Sequence, residues 1–181
     1  MEYCKKVILK NGDECIIRNG KYDDGAAVLE VFNRTHAQTD FLLTYEDENT
    51  FTVERESEYL LSKLSNEREV ELIAFVNGKA AGTAGVSAVG NQSKLLHRAE
   101  FGIAVDKEYS GLGLGGALTD ACAECAEKAG YEQLELSVVA ANDRAISLYR
   151  KKGFKEFGRH PNAFKLRDSR YYDLILMVKY L

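Results

Sequence analysis

The stretch Val105-Asp106-Lys107-Glu108-Tyr109-Ser110-Gly111-Leu112-Gly113-Leu114-Gly115-Gly116-Ala117-Leu118 places four glycines within six positions. Upstream, Leu95 to Val105 reads as a strand. Downstream, Leu114 to Ala129 is an amphipathic helix stopped by Gly130. Glycine in such a turn lets the backbone curl and lets a ligand approach main-chain N–H groups. The free amides of the helix start, together with its dipole, form an anion site that needs no lysine. The expected ligand therefore carries phosphate or pyrophosphate.

Working outward, Val7 to Leu9 and Cys15 to Arg18 alternate about the turn Asn11-Gly12-Asp13 and predict a short hairpin. Asp23 or Asp24 is placed to cap a helix carrying Ala27, Val28, Val31 and Phe32. A second helix is expected from Thr52, with Glu54 and Glu56 in its first turn and Tyr59, Leu60 and Leu64 on its apolar side. Val70 to Val76 and Ala80 to Val89 flank Asn77-Gly78, a type I′ hairpin signal, and with Leu95 to Val105 they form an antiparallel meander. Beyond the glycine turn come a strand (Leu134 to Val139), a helix (Asp143 to Lys152), a short extended piece (Phe154 to Phe157) and a final strand (Tyr171 to Tyr180). The fold class is α/β with a mixed sheet, antiparallel first and with a parallel βα unit in the middle. With 181 residues, one proline and no linker, repeat or low-complexity tract, residues 1–181 read as a single domain.

Composition narrows the function classes. Apolar residues at 45% and charged residues at 29% exclude a wholly disordered chain. A net charge of −4 argues against sequence-independent nucleic-acid binding, which needs cationic surface. There is no run of 18 apolar residues, so no transmembrane helix and no membrane partner are expected, and the start lacks a signal-peptide core. Four cysteines in this setting read as reduced thiols of a cytoplasmic protein.

Three phosphate motifs compete for the glycine turn. A P-loop fails because Ala117-Leu118, not Lys-Ser/Thr, follows Gly116. Gly111-x-Gly113-x-x-Gly116 satisfies the dinucleotide fingerprint, with Glu135 near the acidic position, but Asp106 to Ser110 intervene between strand and glycine. Too little chain then remains for a doubly wound second half. The third is a family resemblance. Ala99-Glu100-Phe101-Gly102-Ile103-Ala104-Val105 followed by Ser110-Gly111-Leu112-Gly113-Leu114-Gly115 resembles the acyl-CoA motif of the GNAT N-acetyltransferase superfamily, a strand ending in a bulge, then Gln/Arg-x-x-Gly-x-Gly/Ala, then a helix. Asn142-Asp143-Arg144-Ala145-Ile146-Ser147-Leu148-Tyr149 through Gly153-Phe154 resembles the family's Asn-x-x-Ala-x-x-Leu-Tyr-x-x-x-Gly-Phe block. Order and separation agree, and the resemblance covers roughly residues 14–181, leaving 1–13 as an N-terminal strand extension. Ser110 departs from the pattern, since Gln or Arg is usual there.

The resemblance implies a GNAT-like sheet whose central parallel strands splay, and acetyl-CoA as co-substrate with no metal. It implies the pyrophosphate on the amides of Leu112, Gly113, Leu114, Gly115 and Gly116, with Ser110 and Gly111 opening the turn. The pantetheine arm would add to the strand edge at Ile103, Ala104 and Val105 as a pseudo-strand, one of whose N–H groups polarises the thioester carbonyl. An alkyl amine of pKa about 10 must lose a proton before it attacks. Glu100 is the nearest carboxylate in sequence and is the candidate base. It shares a strand face with Gly102 and Ala104, and the alternative is a solvated or ion-paired glutamate. Tyr149 is the candidate acid for the departing thiolate, on the same side of its helix as Asn142, which caps that helix or bonds the pantetheine arm.

Cys122 and Cys125 resemble half a zinc site but fall inside a helix without a second ligand pair, and read as core thiols. Thr39 to Leu43 lies where the family places its acceptor loop. Tyr171, Tyr172 and Asp173 open the last strand beside the same cleft, and Asp40 and Asp173 are candidate partners for a cationic acceptor or plain edge carboxylates. The acceptor is expected to be a small-molecule amine or a protein N-terminus, and a homodimer is the family-level expectation. A non-catalytic acyl-CoA-binding module is the alternative function.

Overall fold

Period-two alternation decides the first half of the molecule. The computed structural model describes residues 1–181 and opens with strands β1 (Cys4–Ile8) and β2 (Glu14–Asn19), followed by helices α1 (Gly25–Ala37) and α2 (Val53–Leu64). Strands β3 (Val70–Val76), β4 (Lys79–Ala88) and β5 (Arg98–Val105) complete an antiparallel run from β1 to β5. The second half alternates helix and strand: α3 (Leu114–Lys128), β6 (Gln133–Val139), α4 (Asp143–Lys151), then the hairpin of β7 (Lys155–Lys165) and β8 (Tyr171–Tyr180). All eight strands join one sheet in the order β1-β2-β3-β4-β5-β6-β8-β7, and only β5–β6 is parallel. The α/β mixed sheet expected from the sequence is the sheet observed.

Register sorts side chains onto two faces. Val70, Val86 and Phe101 lie on one row and Leu72, Ala84 and Ile103 on the next; this face packs against α3 and α4 in the larger core, with Leu114, Leu118, Cys122 and Tyr149. The opposite face carries Ile73, Thr83 and Ala104 on one row and Glu71, Gly85 and Gly102 on another. Helices α1 and α2 cover its β3 side through Val28, Val31 and Leu60 against Ile73. Asn77 and Gly78, with φ of 50° and 80°, make the β3–β4 turn that their sequence demanded. Thr52 caps α2, its hydroxyl accepting from the Arg55 amide at 3.3 Å.

Four expectations are corrected. Strand β5 begins at Arg98, not Leu95, because residues 92–98 turn on bonds from the Leu95 amide to Gln92 and from the Arg98 amide to Leu95. Strand β7 continues to Lys165 through Pro161, which is tolerated because β7 is an edge strand bonded only to β8, with a register shift between His160 and Phe164. Asp24 precedes α1 without capping it: its carboxylate accepts a fork from Arg18 at 2.6 and 2.9 Å. The β4–β5 ladder runs without a bulge, and the register shift lies between Ala74 and Phe75 of β3 instead.

Two contacts fix the glycine turn to the rest of the molecule. The Lys10 amide of the β1–β2 hairpin donates to the Leu112 carbonyl at 3.0 Å. Behind β5, the Asp106 carboxylate, 1% exposed as a residue, accepts from Arg34 Nε at 2.5 Å, Gln38 Nε2 at 3.0 Å and the Glu108 amide at 3.0 Å. Burial pushes the Asp106 carboxyl up, but these donors outweigh it and hold it below the usual carboxylate value. No helix is long and apolar enough to cross a membrane. Cys122 and Cys125 are buried within α3, where burial pushes both thiols up.

Arg34→Met strands the Asp106 charge and is expected to cost roughly 3 kcal/mol of unfolding free energy at pH 7. A carboxyl held below its unfolded value stabilises above that value and loses the contribution as pH falls through the folded one. The deficit measured by urea titration should therefore shrink as pH falls below about 4.

Candidate active site

The parallel strands β5 and β6 stay together for only three pairs. Arg98, Ala99 and Glu100 face Gln133, Leu134 and Glu135, and there the ladder ends although β5 continues to Val105 and β6 to Val139. The Arg98 guanidinium forks the Glu135 carboxylate across this closed end, with Nε at 2.5 Å and Nη2 at 2.8 Å. Beyond it the strands part, while β6 keeps its full antiparallel ladder with β8.

The parting leaves main-chain groups of β5 without partners. The Asp106 amide donates to Ala81 on β4 at 3.0 Å, and the Arg98 carbonyl accepts from Val89 at 3.2 Å. Even-numbered residues of β5 thus turn their peptide groups toward β4, and Phe101, Ile103 and Val105 turn theirs into the gap. Of the three strand residues singled out from the sequence, Ile103 and Val105 offer free amides and carbonyls there, whereas Ala104 is paired to Thr83 and contributes only its side chain.

The glycine turn opens at the end of this gap. Asp106 caps the 3₁₀ turn Lys107–Tyr109, and the Ser110 amide closes it on the Lys107 carbonyl at 3.0 Å. Gly111 and Gly113 adopt φ of 84° and 97°, conformations that a side chain would strain, and Gly113 leads into α3 from the left-handed region. The amides of Gly111, Gly113, Leu114, Gly115 and Gly116 bond to no other main-chain group, while the Leu112 amide reaches the Tyr109 carbonyl at 3.4 Å. Five unpartnered donors and the positive end of a fifteen-residue helix thus lie within six positions, without a lysine in the turn.

A basic group absent from the sequence expectation stands beside them. A Cβ on Gly111 would lie 3.7 Å from Arg144 Nη2, so the first turn of α4 brings a guanidinium to the turn where Ser110 supplies no charge. Arg144 lies two residues from Asn142, off the stripe shared with Tyr149, and its part depends on how α4 packs beside α3. Lys152 also approaches, with Nζ 3.5 Å from a Cβ on Gly116, but it bonds Asp120 at 2.5 Å.

Asn142 caps α4, its side-chain oxygen accepting from the Ala145 amide at 3.2 Å, which leaves its amide nitrogen free. Tyr149 is 8% exposed and packs edge-on against Phe101, with ring centroids 6.2 Å apart, on the face of β5 that borders the gap. Burial pushes its hydroxyl up to about 12, so the phenol stays protonated at neutral pH. Glu100 lies on the opposite face, exposed, in the row of Ser87 and Glu135. On that face the 38–52 loop meets the β7–β8 hairpin: the Phe41 and Tyr172 rings are 5.9 Å apart, Arg170 lies 3.7 Å from Asp40, and a pocket of about 180 Å³ separates Leu42 and Tyr45 from Phe164. Asp173 instead bonds Arg159 and the Asn162 amide, both at 2.8 Å, as an edge carboxylate.

A splayed parallel pair beside an amide-rich helix start offers unpaired backbone groups along the gap and an anion-binding turn beyond it. A protein-family model described as "Acetyltransferase (GNAT) family" matches residues 33–154. The chain belongs to the GNAT family. The ribosomal protein bS18-alanine N-acetyltransferase of Escherichia coli is 36% identical over 121 residues, covering 67% of this chain and 78% of that protein. The L-amino acid N-acetyltransferase AaaT of Escherichia coli is 27% identical over 169 residues, 92% and 98% of the two chains. A GNAT acetyltransferase from Streptococcus pneumoniae superposes with a TM-score of 0.88 at 29% identity, covering 92% of this chain and 99% of that one. The acetyltransferase yncA from Salmonella typhimurium, solved with acetyl-CoA, shares the fold at a TM-score of 0.80 and 21% identity, covering 91% of this chain and 92% of its own. This GNAT protein is an N-acetyltransferase.

Two substitutions test the turn. Gly113→Ala forces a Cβ onto a left-handed residue at a cost of about 1–2 kcal/mol, and acetyl-CoA binding should weaken roughly 5- to 30-fold by calorimetry. Arg144→Ala should weaken it about tenfold and flatten its dependence on salt.

Proposed function

We propose that this enzyme moves the acetyl group of acetyl-CoA directly onto a primary amine, without a covalent enzyme intermediate. The observation that carries the reading is the set of five unpartnered amides at residues 111 and 113–116, in the turn that follows the parted end of β5. The pyrophosphate binds those amides and Arg144, with Ser110 at the edge of the cradle. The pantetheine arm pairs with Ile103 and Val105, passes Ala104, and is bonded by Asn142. The thioester then lies near Tyr149, and an odd-numbered β5 amide polarises its carbonyl.

The chemistry follows from the groups around that point. The acceptor arrives as an ammonium and gives one proton to Glu100, directly or through water. The amine lone pair attacks the thioester carbon, the C–S bond breaks, and the thiolate takes a proton from the Tyr149 hydroxyl. Tyr149 regains a proton from the nitrogen that has become an amide. The balance is ammonium plus acetyl-CoA to acetamide, CoA thiol and one proton, and no step uses a metal. The related enzymes are named for the N-acetylation of an L-amino acid and of an alanine of a ribosomal protein, and both names fit an amine acceptor.

Thiol release on mixing enzyme, acetyl-CoA and a panel of amino acids, peptides with free N-termini and alkyl amines tests the proposal; silence across the panel overturns it. Within an active pair, Tyr149→Phe should lower kcat at least tenfold and leave acetyl-CoA affinity within about twofold. Unchanged turnover would remove the acid role.

A further inference from the structure

The cleft face of the sheet holds a carboxylate that neither the motifs nor the proposed chemistry uses. Glu71 sits on β3 in the row Glu71, Gly85, Gly102. Its carboxylate leans sideways over β4: a Cβ on Gly85 would lie 2.4 Å from Glu71 Oε2, so only glycine at that position lets the group lie there. On Gly102 of β5, the next strand along, a Cβ would meet nothing within 4 Å. The two glycines thus form a trough, with the carboxylate over one side and open space over the other, about one strand spacing of ~4.8 Å away. That open space adjoins Ile103, whose amide faces the gap.

No lysine or arginine forms a salt bridge with Glu71, and Lys63 acts on it only from a distance. Lys63 of α2 approaches the cluster, but its ammonium bonds Glu69 at 2.5 Å and Ser87 at 3.2 Å. Arg98 is held by Glu135. Glu56 of α2, itself buried and without a salt bridge, adds a like charge. A carboxylate leaning over a glycine toward open space, with every nearby lysine and arginine already engaged, lacks a positive partner that the chain does not provide.

We propose that Glu71 selects a cationic acceptor, holding the ammonium in the trough above Gly85 and Gly102 from the β4 side while Glu100 takes its proton from the β5 side. The inference rests on the amine-acetylation reading and deepens it: the preferred acceptor carries its charge when it binds, and an amine already neutral in water is a poor substrate. Glu71 here is a specificity-determining residue, and Glu100 and Tyr149 carry the proton transfers.

The environment also fixes a pH signature. Burial first, and then the charge of Glu56, push the Glu71 carboxyl up to about 7. The other charged or titratable groups around it are Tyr59 and Lys63 from α2, Glu69 just ahead of β3, Glu100 from β5 and, from α3 on the other face of the sheet, the Cys122 thiol. Tyr59 is pushed further above its ordinary value, and Glu69 is held below its own by Lys63 and the Ala88 amide, against its burial. Below pH 7 Glu71 is neutral and holds a cation weakly; above it the charge is present while an alkyl amine stays protonated to about pH 10.

The test compares wild type, Glu71→Gln and Gly85→Ala, the last keeping the charge but displacing the carboxylate. Probes are ethylamine and 1,4-diaminobutane as cations and 2,2,2-trifluoroethylamine, uncharged at neutral pH, as control. For the cations, KM should fall about tenfold in wild type from pH 6 to pH 8. Both variants should raise KM at pH 8 by about tenfold, with kcat and acetyl-CoA affinity within about threefold, and Glu71→Gln should abolish the pH limb. Calorimetric titration of the cations into CoA-loaded enzyme should show the same loss and serves as a readout without turnover. Equal cation affinity in wild type and Glu71→Gln, or no cation binding to wild type, overturns the inference even where thiol is released. Absence of thiol release from every amine, with cation binding intact, strikes the acetylation reading instead.

Discussion

The site depends on a single interruption in hydrogen bonding. Two parallel strands begin in register, are pinned by the Arg98–Glu135 fork, and separate after Glu100. A sheet that abandons its ladder leaves polar backbone exposed, which is unfavourable unless something else satisfies it. Here both strands are held on their far sides, β5 by β4 and β6 by β8, so the gap stays open without unravelling the sheet. The ligand then supplies the missing partner.

Around that gap the fold divides its work by face. The face under α3 and α4 is apolar and carries the aromatic group of Phe101, Tyr149 and Phe154. The face under α1 and α2 is polar along the rows of Glu69, Glu71, Glu100 and Glu135. Under the proposed reaction, acyl donor and amine acceptor approach from chemically different sides and meet where the sheet is not closed.

Much of this was legible in the chain. The glycine turn, the Asn142–Tyr149 block, the Asn77–Gly78 hairpin and the order of elements are local patterns whose meaning survives without tertiary context. Long-range pairings were not legible. Arg98 and Glu135 are 37 residues apart, and nothing in either neighbourhood marks them as partners. Arg144 lies inside a motif that was read, yet its position depends on the packing of α4 beside the turn. The direction of the β5 peptide groups, which separates Ile103 and Val105 from Ala104, needed a known register with β4. Strand β7 was underestimated because an edge strand with a proline and a register shift has no clean alternation. Glu71 carried no motif at all: its interest comes from two glycines on neighbouring strands that the sequence separates by 17 residues.

The bond from Lys10 to the Leu112 carbonyl gives the amino-terminal hairpin a mechanical part in shaping the glycine turn. The tip of that hairpin braces the outer wall of the glycine turn from a point just over a hundred residues upstream. Trimming the first dozen residues would remove a buttress from the very segment that must keep its curvature, and a fusion placed at the opening strand would load the cradle directly.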